Sequence, residues 1–191
     1  MAEAAHPWPE YIHQSFNSAI ISDLSGRDES VFYGPFTRLL YTLFSIDGPY
    51  EIVPQFKSVA LQGSQDVVAV LVVEVNRHPV FFTEIKPPAS FSYDSRREEA
   101  DEQMRRRFRD LRQILAIPIL HDISAFGTRL SFYEYDSATH VLQPEQVLRS
   151  HPSILVDVAP VTRWDCDVLH QEGADRLRNV VNQVKDMCAR I

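Results

Sequence analysis

Lysine is scarce in this chain: Lys57, Lys86 and Lys185 stand against sixteen arginines. A lysine is therefore an uncommon choice here, which draws attention to Lys86. Cysteine is scarcer still. Cys166 and Cys188 have no CxxC spacing and no partner pair, which argues against a structural zinc site and leaves two idle thiols. No apolar run approaches the ~18 residues that cross a bilayer. The opening MAEAAHPWPEYIHQ lacks the basic start and apolar stretch of a secretory signal. The expectation is an intracellular protein, cytoplasmic or nuclear, with no membrane partner. Positive charge is also in deficit, with a net −7. That excludes nucleic-acid binding through overall charge but leaves room for a local basic patch. Internal repeats, low-complexity tracts, long linkers, HExxH spacing, a GxSxG elbow and helix-turn-helix signatures are all missing.

What remains is a chain of 191 residues with 45% hydrophobic residues, which fits one domain. Residues 1–10, with Pro7 and Pro9, read as a loose arm. A first helix is expected from Glu10 to Leu24, then a turn at Ser25-Gly26-Arg27-Asp28. A second starts at Glu29 or Gly34 and runs to Ser45, its apolar stripe being Phe32, Phe36, Leu39, Leu40 and Leu43. The period then changes. Glu51–Leu61, Val67–Val75 and Val80–Ile85 read as three strands in an antiparallel meander. Pro87-Pro88 ends the last of them. A long helix from Tyr93 to Leu115 buries Met104, Phe108, Leu111 and Leu115. Strands follow at Ile117–Ile123 and Arg129–Tyr135. Gln143–Ser153 is ambiguous, Ile154–Val158 reads as a short edge strand, and 167–191 as an amphipathic closing helix. The fold class is α/β (α+β), a mixed central sheet flanked by helices on both sides.

The stretch that carries chemistry runs from Asp66 to Lys86. An acid opens one strand, and the triplet Glu84-Ile85-Lys86 ends the next. Glu84 and Lys86 share a face because side chains alternate along a strand. Asp66 joins them if Val70 lies opposite Glu84; a register shifted by one sends it to the other face. Two carboxylates and the Ile85 carbonyl are the oxygen donors that Mg²⁺ or Mn²⁺ takes. Such a metal activates water for phosphodiester hydrolysis, and a lysine beside it orients that water or steadies the transition-state charge.

Asp66…Glu84-Ile85-Lys86, on a strand hairpin with helices before it and a long helix after it, resembles the PD-(D/E)XK nuclease superfamily over residues 29–135. The runs FFTEIKPP, RREEADEQMRRRF and ISAFGTRLSFYEYD look like a group of uncharacterised proteins of mushroom-forming fungi. The resemblance implies a restriction-endonuclease-like α-β-β-β-α-β core and a metal-dependent nuclease acting on DNA or RNA. Asp66 and Glu84 would hold the metal and Lys86 would assist. The sequence departs from the pattern at Gln65, where proline is frequent. The resemblance also implies a helical glutamate, for which Glu29 is the candidate, and a polar residue on the long helix, for which Gln103 is.

Each residue has a plainer reading. Glu84 and Lys86 make an ion pair on an edge strand, and Glu29 favours the start of a helix. Arg105, Arg106 and Arg109 contact phosphate, or belong to a solvated helix face paired with nearby acids. The alternative function is a non-catalytic binding or regulatory protein on the same framework, its site vestigial. A hydrolase built on His121, Asp122 and Ser124 is disfavoured because neighbours on a strand point to opposite faces. Oligomeric state is left open, a homodimer included.

Overall fold

A computed structural model describes residues 6–61, 64–148 and 156–191, with side chains outside 56–69. The helices are α1 (Glu10–Ser22), α2 (Tyr33–Phe44), α3 (Asp94–Leu111) and α4 (Gln171–Cys188). The strands are β1 (Tyr50–Leu61), β2 (Ser64–Val75), β3 (His78–Lys86), β4 (Ile119–Phe126), β5 (Arg129–Asp136), β6 (Leu142–Gln143) and β7 (Cys166–Asp167). Six strands lie in sequence order, and β7 pairs with β5. Every pairing is antiparallel except β3 with β4, which run parallel. A parallel pair needs a crossover, and α3 supplies it.

Helices cover both faces of the sheet. Phe81 meets Phe44 of α2 at 5.6 Å between ring centroids, while its neighbour Phe82 meets Phe108 of α3 at 5.2 Å. Successive β3 side chains therefore enter different layers. All of β3 after His78 is buried, as expected of a strand covered on both sides.

Local chemistry explains the boundaries. Asn76 and Arg77 both have positive φ, the pattern of a two-residue type I′ turn joining β2 to β3. Pro35 sits in the first turn of α2, where its missing N–H costs nothing. The 3₁₀ turn Glu29–Phe32 precedes that helix, so both candidate start points mark real features. Gly127, with φ +58°, turns β4 into β5 against Pro88, whose Cγ would lie 2.6 Å from any added Cβ.

Several expected boundaries are corrected. The long helix stops at Leu111 instead of Leu115, and a 3₁₀ turn at Pro88–Ser92 precedes it. Among the described residues of the expected edge strand at 154–158 none is in a strand, and 154–155 lie outside the description. The short strands are instead Leu142–Gln143 and Cys166–Asp167, so the closing helix begins at Gln171 instead of 167. The expected loose arm is anchored at Trp8, which is buried and donates from Nε1 to the Val168 carbonyl at 2.6 Å. Burial pushes the Cys166 and Cys188 thiols up to about 11, in keeping with unreactive packing residues.

A candidate site beneath the crossover helix

The β3–β4 register sets the site. Phe82 pairs with Asp122 and Glu84 with Ser124. The face that carries Phe82 to α3 therefore also carries Glu84, Lys86, Asp122 and Ser124. α3 lies over it and contributes Gln103 and Arg107.

Lys86 Nζ lies 3.0 Å from Glu84 Oε1 and donates to Gln103 Oε1. Gln103 Nε2 in turn donates to Glu99 Oε1 at 3.2 Å, which fixes the orientation of its amide. The structure thus brings together three of the sequence candidates: Glu84, Lys86 and Gln103. The ion pair is not on an edge, since β3 is the third of six strands in the sheet path. Glu84 is 1% exposed.

Asp122, 0% exposed, was not among the metal or catalytic candidates. Neither of its carboxylate oxygens makes a well-formed hydrogen bond among the described residues, the Ile123 N–H being at most a weak partner, and Ser124 Oγ makes none. Burial holds its carboxyl well above the ordinary carboxylate range, and the nearby Glu84 charge adds to the shift. The Ile123 N–H and the Arg107 guanidinium oppose it. Asp122 is therefore a neutral acid at pH values where a free aspartate is charged. The sequence did hold a signal: His121, Asp122 and Ser124 are polar residues in a strand buried from Leu120 onward. His121 points to the other face, 3.7 Å from Glu134, and burial lowers its pKa.

Val70 is opposite Glu84, the register on which the Asp66 expectation rests. Asp66 itself lies opposite Val59, four residues further along β2 and past the last β2–β3 pair. Strand rise puts its Cα about 13 Å from that of Val70. Its side chain is outside the described residues. The neighbour of Glu84 on β2 is thus a valine, and the carboxylate beside Glu84 comes from β4.

Glu29 stands in the 3₁₀ turn before α2 and accepts a hydrogen bond from the Tyr33 hydroxyl at 2.8 Å. Arg105 is buried, with Nε and Nη2 on Asp101 at 2.7 and 3.1 Å and Nη2 on the Pro144 carbonyl at 2.7 Å. Arg106 and Arg109 are exposed on α3.

Glu84 and Asp122 offer oxygen donors of the type a hard cation takes, and those of Asp122 make no well-formed hydrogen bond among the described residues. The set ends there. Among the described residues no three His, Cys, Asp or Glu side chains could hold an ion together, and the Lys86 ammonium already sits on a Glu84 oxygen. Water can complete the shell of a cation held by only two carboxylates, so what counts against a formed site is the ammonium on Glu84 and the lack of a third donor among the described residues. The chain matches no family model, no curated protein and no solved structure. Among the described residues no helix is long and apolar enough to cross a membrane.

Proposed function

We propose that this chain is a binding or regulatory protein on a PD-(D/E)XK-like framework, with its acidic site closed. The observation that carries the reading is the burial of Glu84 and Asp122 under α3, one paired with Lys86 and the other neutral. A scissile phosphate has to reach metal and water together, and both described carboxylates are buried away from solvent. The order α2-β1-β2-β3-α3-β4, with an antiparallel meander and one parallel crossover, supports the framework. Among the described residues, which leave out the side chain of Asp66, no third donor joins Glu84 and Asp122, and that supports the reading.

A second reading is a metal-dependent nuclease in which Asp66 and Glu84 hold Mg²⁺ or Mn²⁺ and Lys86 assists. One observation favours it: Lys86 is already held between Glu84 and Gln103, as a residue positioned for chemistry would be.

Calorimetry with Mn²⁺, alongside incubation with DNA and with RNA, separates the two. The closed-site reading expects no heat of binding up to millimolar metal and no cleavage. Metal binding that Glu84→Ala abolishes, with cleavage that Lys86→Ala abolishes, would overturn it in favour of the nuclease.

A further inference from the structure

On the far part of α3 from the acidic site, Arg105, Arg109 and Arg112 follow one another at spacings of four and three, so they form one stripe along the helix. They line a cavity of about 210 Å³ with Tyr135, His140 and Gln146. That volume is about seven waters' share of the liquid.

The charge there is not neutralised. Asp101 receives both Arg105 and Arg163, so one carboxylate serves two guanidinium groups. Arg109 and Arg112 are exposed, and their side chains make no hydrogen bond or ion pair among the described residues. Against them stand the carbonyl end of α3, worth about half a negative charge, Asp110, which has an interaction of its own, and Asp136. The Asp136 carboxylate is occupied in capping the β5–β6 turn, where it accepts from the N–H groups of Ala138 and Thr139 at 2.7 and 3.0 Å. The residues that line the cavity include three arginines and no acid, which makes its α3 wall positive. Its opposite wall is aromatic: the Tyr135 and His140 rings stack at 6.3 Å, fixed by a 2.9 Å hydrogen bond between Tyr135 Oη and His140 Nδ1.

We infer that this cavity binds a phosphomonoester, with the phosphate on Arg109 and Arg112 and the group that carries it against the Tyr135–His140 wall. Planar guanidinium groups bond phosphate oxygens in pairs, and an aromatic wall beside them suits the ring of a nucleotide. The inference does not depend on the state of the acidic site.

The test is calorimetry of the full chain with inorganic phosphate, a 5′-mononucleotide and sulfate. The comparison is with the double variant Arg109→Ala/Arg112→Ala and with Arg106→Ala, which removes an exposed arginine of the same helix outside the cavity. Circular dichroism confirms that each variant is folded. The expected result is binding that the double variant weakens about tenfold or more and Arg106→Ala leaves within about twofold. A nucleotide bound more tightly than inorganic phosphate upholds the inference, and inorganic phosphate bound as tightly or more tightly would overturn it, because the Tyr135–His140 wall would then have no occupant. No binding at millimolar ligand, equal binding of sulfate, or an equal loss in Arg106→Ala would overturn it. The last outcome would point to a nucleic-acid backbone lying along the helix.

Discussion

Asp122 shows how far a single residue can depart from its local sequence. Its carboxyl is held neutral by burial and by Glu84, which has a consequence for stability. The folded pKa is raised above that of the unfolded chain, near 3.9. Below that value both states hold the proton and nothing is lost. As pH rises through it, the unfolded chain ionises first and gains, so stability falls until the folded pKa is reached. Asp122→Asn removes that loss. Urea melts should show little effect of the substitution at pH 3.5 and a gain at pH 7. The gain should be about 1.4 kcal/mol for each unit from the unfolded pKa up to the folded one, or up to pH 7 where the folded pKa lies higher. An equal effect at both pH values would mean that packing, not ionisation, decides the matter. Glu84, Lys86 and Gln103 were legible because two-residue spacing on a strand and a following polar helix are local patterns. Asp122 was not, because its neighbour Glu84 lies 38 positions earlier in the sequence and meets it only through the parallel β3–β4 register. Asp66 shows the complementary difficulty: its strand was legible and its register open between two settings, and even with Val70 opposite Glu84 the strand β3 ends before reaching it.

At the scale of elements, the long periodic segments were the readable ones. The three-strand meander, the long crossover helix and the amphipathic closing helix all emerge from apolar spacing alone. The short strands β6 and β7 did not, since two residues carry no period and each is defined by its partner on β5. Helix α4 shows what such a short strand does. An added Cβ on Gly173 would lie 2.1 Å from the Asp167 carbonyl oxygen, so the first turn of the helix rests directly on β7. Gly173→Ala should therefore cost about 2 kcal/mol or more, read as a lower midpoint in thermal melts. An unchanged midpoint would mean that the helix shifts away from β7 at no cost.

Across the whole molecule, one carboxylate helps to hold Pro144, Glu145 and Arg163, which lie in the segment between β6 and β7, to the crossover helix. Asp101 accepts from Arg105, from Arg163 and from the Tyr133 hydroxyl. Burial and that carboxylate push the Tyr133 phenol above its usual range. Arg163 also donates to the Glu145 carbonyl, so both ends of the segment are tied. Asp101→Asn leaves two guanidinium groups facing a neutral side chain and should cost about 3 kcal/mol or more. Limited proteolysis should then cut near 144–164 sooner than in the parent chain. Cutting at an unchanged rate would show that the segment is held by its apolar contacts instead. None of this clasp was visible in the sequence, where Asp101 and Arg105 read as one more pair on a solvated helix.

Trp8 adds a condition on the order of assembly. Its indole is seated by the Val168 carbonyl, and the Arg178 guanidinium lies 4.2 Å from the ring centroid. A seat built from residues so distant cannot exist while the chain is still emerging from the ribosome. The early helix can meet its strands, but its leading edge has to wait for α4. The segment around Trp8 is therefore locked only once residues made long after it are in place.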